Sequence, residues 1–165
     1  HRDLHSFPTR RSSDLDGGTV HAALQRDPIL RRICNVYTLE ELDSFLRAEG
    51  PVPKPIAMVV NTDPDPHGPG EHWVAIYADQ GHTDFFDSFG CSPIRVAFYR
   101  LLNHLKQPWG MNTRVLQDFT SFVCGHYCLY YLLRRSRGER LNDIVQIFDE
   151  DTKENDAMEI GRAHV

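Results

Sequence analysis

The residues that could do chemistry gather in the stretch SFVCGHYCLYYLLRR, residues 121–135, where Cys124, His126 and Cys128 stand at the front of an apolar run. On a helix, Cys124 and Cys128 lie one turn apart on a shared face, whereas His126 sits about 200° around from Cys124. One ion cannot be clasped by all three, and neither Cys34 nor Cys91 brings the further ligand pair that a structural zinc site needs. No metal is therefore expected, and Cys128 reads as a small buried residue of a core helix. Cys124 differs in its position. Residues 117–123, QDFTSFV, do not continue a clear amphipathic pattern, so Cys124 falls in the first turn, where unpaired N–H groups and the helix dipole favour a thiolate.

A nucleophilic thiol also needs a base, a group that orients the base, and donors for an oxyanion. The chain offers one of each in order. His72 opens a strand after a loop, Asp87 ends the next strand in FFDSFG, and Gln117 lies seven residues before Cys124. If the two strands form an antiparallel hairpin, the carboxylate of Asp87 can hold the imidazole of His72 in one tautomer. Any one of these residues alone would be an ordinary surface or core group.

The elements that must position them follow from local pattern. Thr38 with Glu41 three residues later has the spacing of a capping box, followed by Leu42, Phe45 and Leu46 as a helical stripe that Gly50 and Pro51 end. Ile56–Val60 is a short apolar, partly β-branched run, expected as a buried strand. The proline- and glycine-rich residues 61–70 form an irregular connection into a second strand over His72–Tyr77. A turn at Gln80-Gly81 predicts a hairpin with Thr83–Asp87. Ser92 and Pro93 suit the start of a helix running to about Gln107, Arg114–Leu116 is a weaker strand, Ser121–Arg135 is the strongest helix, and Leu141–Phe148 is a last short one. The order predicts an α+β layered domain with a central helix against a mixed sheet.

Totals narrow the classes. With 165 residues, 41% hydrophobic and 25% charged, the chain suits one globular domain. A formal net charge of -5 gives no global attraction to nucleic acid. The basic pairs Arg31-Arg32 and Arg134-Arg135 with Arg137 leave a DNA contact open, but solvated helix ends are the better reading. Four scattered cysteines are too few for a disulfide framework, and no apolar run reaches the roughly 18 residues of a membrane span. The chain reads as soluble, intracellular and reduced, with no membrane contact. Both ends look foreign: His5–Leu15 (HSFPTRRSSDL) and Glu159–Val165 (EIGRAHV) resemble translated sequencing adapters. The expectation is an artefact over residues 1–15, one domain over 16–158, which need not be complete, and a second artefact over 159–165.

Taken together, GEHWVAIY, FFDSFG and Q-x6-C-G-H-Y-C, in that order, resemble the adenovirus-type cysteine endopeptidases, the adenains. The likeness is greatest to relatives encoded by Maverick/Polinton DNA transposons and related viruses, whose approach to the catalytic histidine VVNTDPDPHGPGEHWVAIYAD also resembles. It covers roughly Ile33 to Leu133 and extends more distantly to the ubiquitin-like-protein proteases of the same clan. The resemblance implies a papain-like, adenain-type fold with the nucleophile on the central helix.

It also implies that His72 is the general base, Asp87 its orienting acid, Cys124 the nucleophile and Gln117 an oxyanion donor beside the Cys124 N–H. Asp at position 87 departs from the Glu usual in adenoviral enzymes but matches other clan members. Trp73 would help form a narrow channel over the substrate backbone, the origin of a preference for glycine next to the scissile bond; a plain core aromatic is the alternative. Gly125 would allow close approach of the helix start, and Tyr127, Tyr130 and Tyr131 would pack. No cofactor is required for the chemistry. A peptide or DNA activator is known in the family, but no cysteine between Cys91 and Cys124 matches the one that joins such a peptide. The implied partner is a protein substrate of capsid or virion-precursor type, cleaved by a monomer in the host nucleus, cytoplasm or virion. Two alternatives stay open: an isopeptidase acting on ubiquitin-like modifiers, and a transposon remnant that folds but only binds.

Overall fold

The computed structural model describes residues 15–62 and 72–163. Most of the first adapter-like segment, and the loop from residue 63 to residue 71 that precedes His72, lie outside the described residues. The elements in chain order are α1 (Gly17–Arg26), α2 (Leu30–Ile33), β1 (Cys34–Tyr37), α3 (Leu39–Arg47), β2 (Ile56–Asn61), β3 (Trp73–Ala78), β4 (Thr83–Phe86), α4 (Val96–His104), β5 (Trp109–Met111), α5 (Cys124–Arg135), α6 (Leu141–Gln146) and α7 (Thr152–Ala163). The architecture is the α+β class expected, a mixed sheet with helices on both faces.

The strands lie in the order β1-β2-β3-β4-β5. β1 runs parallel to β2, β3 is antiparallel to both β2 and β4, and β5 is parallel to β4. Every residue of β3 and β4 is buried, which explains why β3 reads as a continuous apolar run rather than an alternating one, while β4 buries the polar Thr83 and Asp84 as well. Alternation then separates two cores. Ala57, Val59, Trp73, Ala75, Tyr77 and Phe86 pack with α1, α5 and α6, while Met58, Val60, Val74, Ile76 and Phe85 pack with α3 and α4. The central helix α5 sits on the Trp73 face. There Tyr131 stacks on Phe86 with ring centroids 4.6 Å apart, and its hydroxyl donates to the buried Asp84 at 2.8 Å.

The capping box on α3 forms as read: Thr38 Oγ1 accepts from Glu41 N, and Glu41 reaches back to Thr38 N. Three expectations are corrected. The fifth strand is Trp109–Met111, not Arg114–Leu116, because Thr83 N already donates to Pro108 O and the ladder continues directly through the next residues. Arg114 serves instead as a tether whose guanidinium donates to the Val145 and Phe148 carbonyls at 3.3 and 2.7 Å. Helix α4 begins at Val96 rather than near Pro93, since Ile94 is 86% exposed and the stripe that buries is Phe98, Leu101, Leu102 and Leu105. Helix α5 begins at Cys124, not Ser121. The basic side chains near its end are paired: Arg134 with Glu139, Arg135 with Asp79 and Asp84, and Arg137 with Asp27.

Candidate active site

β3 and β4 pair Ala75 with Phe86, so the residue just before β3 and the residue just after β4 emerge at the same end of the sheet. These are His72 and Asp87. Nε2 of His72 meets Oδ1 of Asp87 at 2.8 Å, and the same oxygen accepts from Phe89 N at 2.8 Å. The backbone of Asp87 is clamped by buried Asn112, whose Oδ1 accepts from Asp87 N at 3.0 Å and whose Nδ2 donates to Asp87 O at 2.6 Å. Asn112 follows β5 directly, so the acid is held by the strand on its far side as well as by its own.

The remaining ring nitrogen, Nδ1 of His72, is buried and has no hydrogen-bond partner of ordinary length. The Cys124 thiol lies within electrostatic reach of the ring. Burial pushes the imidazole pKa down, but the Asp87 hydrogen bond and the Cys124 sulfur outweigh it and raise it to about 10. Phe89 covers the ring, stacked at 4.9 Å between centroids and 29° between planes.

Cys124 is the first residue of α5, at the end where backbone N–H groups lack intrahelical partners. Its sulfur, nearly buried, accepts from the Trp73 backbone N–H at 3.3 Å. The strand that carries His72 thus touches the thiol one residue later. Burial drives the other two internal thiols away from ionisation, Cys34 up to about 12 and Cys128 well above its ordinary value.

Gln117 lies on the loop that leads into α5. Ser88 Oγ donates to its Oε1 at 2.6 Å, and its Nε2 donates to Ser121 O and Oγ at 3.1 and 3.0 Å. The amide is therefore oriented, and to reach an oxyanion one N–H must turn away from Ser121. The loop backbone is tied at several points. Ser88 O accepts from both Leu116 N and Gln117 N, and Leu116 O accepts from Tyr127 Oη at 3.2 Å and Asn155 Nδ2 at 3.0 Å. The Asp156 carboxylate accepts from Tyr127 Oη at 2.7 Å and Asp118 N at 3.3 Å.

Trp73 places its backbone, not its ring, at the thiol. The indole is 6% exposed, donates to Leu15 O at 3.3 Å, and lies where a Cβ on Gly125 would come within 3.6 Å of it. The same Cβ would stand 3.3 Å from Cβ of Leu15, a residue of the adapter-like segment, whereas its distance to Trp73 is ordinary contact. His126 is buried and lines a cavity with Leu24, Leu129 and Tyr130 between α1 and α5, so it does not join the group. The structure brings His72, Asp87 and Cys124 together and sets Gln117 on the adjoining loop. Sequence reasoning missed Ser88, Phe89, Asn112, Asn155 and Asp156. Only Ser88 and Phe89 carried a signal, as neighbours of Asp87 in FFDSFG.

No protein-family profile matches the sequence, and no curated protein sequence matches it. Solved structures do. The ASFV pS273R protease superposes with a TM-score of 0.67 at 20% identity over 96% of this chain and 69% of its own. The SUMO protease Ulp1 follows at 0.56 and 16%, over 95% of this chain and 78% of its own. ChlaDub1 from Chlamydia trachomatis gives 0.59 and 14%, over 96% and 93%. The chain has this protease fold. Within the pS273R- and Ulp1-type fold, the likeness reaches the architecture and not the substrate. No described helix is long and apolar enough to cross a membrane.

Proposed function

We propose that the chain is a cysteine endopeptidase that cleaves next to glycine in capsid- or virion-type precursors of a virus or mobile element, inside the host cell or the virion. The observation that carries the reading is the half-buried His72, bonded through Nε2 to Asp87 and within electrostatic reach of the Cys124 sulfur. The Cys124 thiolate attacks the peptide carbonyl carbon, and the oxygen takes up the negative charge against the Cys124 N–H and the Gln117 amide. His72, protonated at neutral pH, gives its proton to the leaving nitrogen as the C–N bond breaks, leaving a thioester on Cys124. Water then loses a proton to His72 as it adds to the thioester, and the sulfur departs as thiolate. Protons and electrons balance in both halves without a cofactor.

The adenain-like motif order supports the endopeptidase reading. A second reading, an isopeptidase for ubiquitin-like modifiers, is supported by the fold shared with Ulp1 and ChlaDub1. Glycine-containing capsid-type peptides and ubiquitin-like precursors, offered side by side, discriminate the two. Cys124→Ala abolishes cleavage with the fold intact; unchanged turnover overturns the assignment. A thiol-reactive probe compared in wild type and His72→Ala separates either enzyme from a binding-only remnant, because equal labelling would mean that the histidine does not activate the thiol.

A further inference from the structure

The apolar side chains around the site are not spent on the core. Phe119 is 83% exposed and Phe122 40% exposed, both on the loop between Gln117 and Cys124. Phe119 meets Phe89 with ring centroids 5.6 Å apart, and Phe89 in turn stacks on the imidazole of His72. The three rings form a continuous aromatic wall that starts at the base and ends in solvent. Large apolar surface left beside a reactive group, on a backbone that hydrogen bonds hold in place, is the signature of a binding surface rather than of packing.

The side of the scissile bond that this wall serves follows from the chemistry proposed above, on which this inference rests. His72 must deliver its proton to the leaving nitrogen, so the residue that carries that nitrogen passes closest to His72. The acyl half instead stays over Cys124 and the oxyanion donors. We propose that Phe119, backed by Phe89, is a specificity-determining residue for the position immediately after the scissile bond, and that it selects a large apolar side chain there. Glycine before the bond and an apolar residue after it would then be read by different parts of the site. Phe119, with one ring neighbour among the described residues and most of its surface in water, can be truncated without opening a cavity.

The test uses the full chain and a peptide series that keeps glycine before the bond and places Leu, Phe, Ser or Asp after it. Wild type is expected to favour Leu and Phe over Asp by about 10- to 100-fold in kcat/KM, the range one apolar side chain in a pocket can supply. Phe119→Ala shrinks that ratio to within about 3-fold, while Phe119→Leu, still apolar, retains most of it. A second series, varied on the acyl side, gives the same ranking in wild type and Phe119→Ala. Absence of a leaving-side preference in wild type, or a preference that survives in Phe119→Ala, overturns this inference alone. Failure of wild type to cleave any peptide overturns the endopeptidase reading and this inference with it.

Discussion

The two halves of the candidate site are built by different means. His72 and Asp87 hang from the ends of adjacent antiparallel strands, where the ladder itself sets their separation. Gln117 and the approach to Cys124 sit on a loop with no strand or helix of its own over residues 112–123, held by side chains from Ser88, Tyr127, Asn155 and Asp156. A strand end is placed by many cooperative hydrogen bonds, whereas a loop is placed by a few side chains that can be removed one at a time. The strand-borne half should therefore fail only when its own functional groups are changed. The loop-borne half should also fail through residues far from the chemistry.

The largest effect lies in the strand-borne half. His72→Ala removes both the proton donor and the partner of the thiol, and kcat/KM for a cleaved peptide is expected to fall by at least about 10⁴-fold. Asp87→Ala leaves the imidazole in place but unoriented, with a smaller loss of about 10²- to 10³-fold, because Asn112 continues to hold the backbone that carries residue 87. Equal losses in the two variants would break the distinction between the reacting group and the group that holds it.

Next comes the amide of the loop. Gln117→Ala should slow kcat by about 100-fold or more if one Nε2–H leaves Ser121 for the oxyanion, the cost of one such donor being about 3 kcal/mol. Ser121→Ala frees that N–H from its hydroxyl partner and should leave kcat within about 3-fold of wild type. A loss in Ser121→Ala as large as in Gln117→Ala would mean that the amide serves only to shape the loop.

How much of this was legible follows the same division. The capping box at Thr38, the apolar runs of β2 and β3 and the hairpin at Gln80-Gly81 are local patterns, and they carried His72 and Asp87 to one end of the sheet. Helix α5 was legible by its length and apolar content, and Cys124 by the lack of helical pattern before it. What was not legible depends on pairings between distant segments. β5 is three residues long and is a strand only because Thr83–Phe85 lies beside it, so nothing local distinguished Trp109–Met111 from Arg114–Leu116. Asn112 becomes a clamp only through that pairing. Helix α7, with Asn155 and Asp156, falls in a polar stretch whose use is apparent only once Leu116 O and Asp118 N need partners.

Those two residues offer the clearest test of a loop held from a distance. Asn155 is fully buried and bridges Leu116 O and Asp149 O through one amide. Asn155→Ala should cost about 1–3 kcal/mol of stability, measured by urea unfolding, by leaving buried carbonyls without donors. It should also lower kcat by about 10-fold with little change in KM, as Gln117 loses its placement. Asp156, whose pKa burial raises against the hydrogen bonds from Tyr127 and Ser121, should behave similarly as Asp156→Ala. A stability loss without a kcat loss would mean that the helix braces the fold and not the loop.

A last effect is one of pH, and it returns to the strand-borne half. The folded imidazole of His72 keeps its proton up to about pH 10, while the unfolded one releases it near the ordinary value of 6.5. Between these values the folded state binds more protons than the unfolded state, so the contribution of this group to stability is complete below about pH 6.5 and declines as pH rises toward 10. For one proton the slope is at most about 1.4 kcal/mol per pH unit. Urea midpoints of Cys124→Ala, in which no thiol at that position titrates in either state, should fall from pH 6 to pH 9.5 because Asp87 still raises the imidazole. Adding Asp87→Asn keeps an acceptor for Nε2 but removes the charge, and should flatten that decline. An equal decline in both backgrounds would assign the pH dependence to other groups and deprive the His72–Asp87 pair of its ionic character.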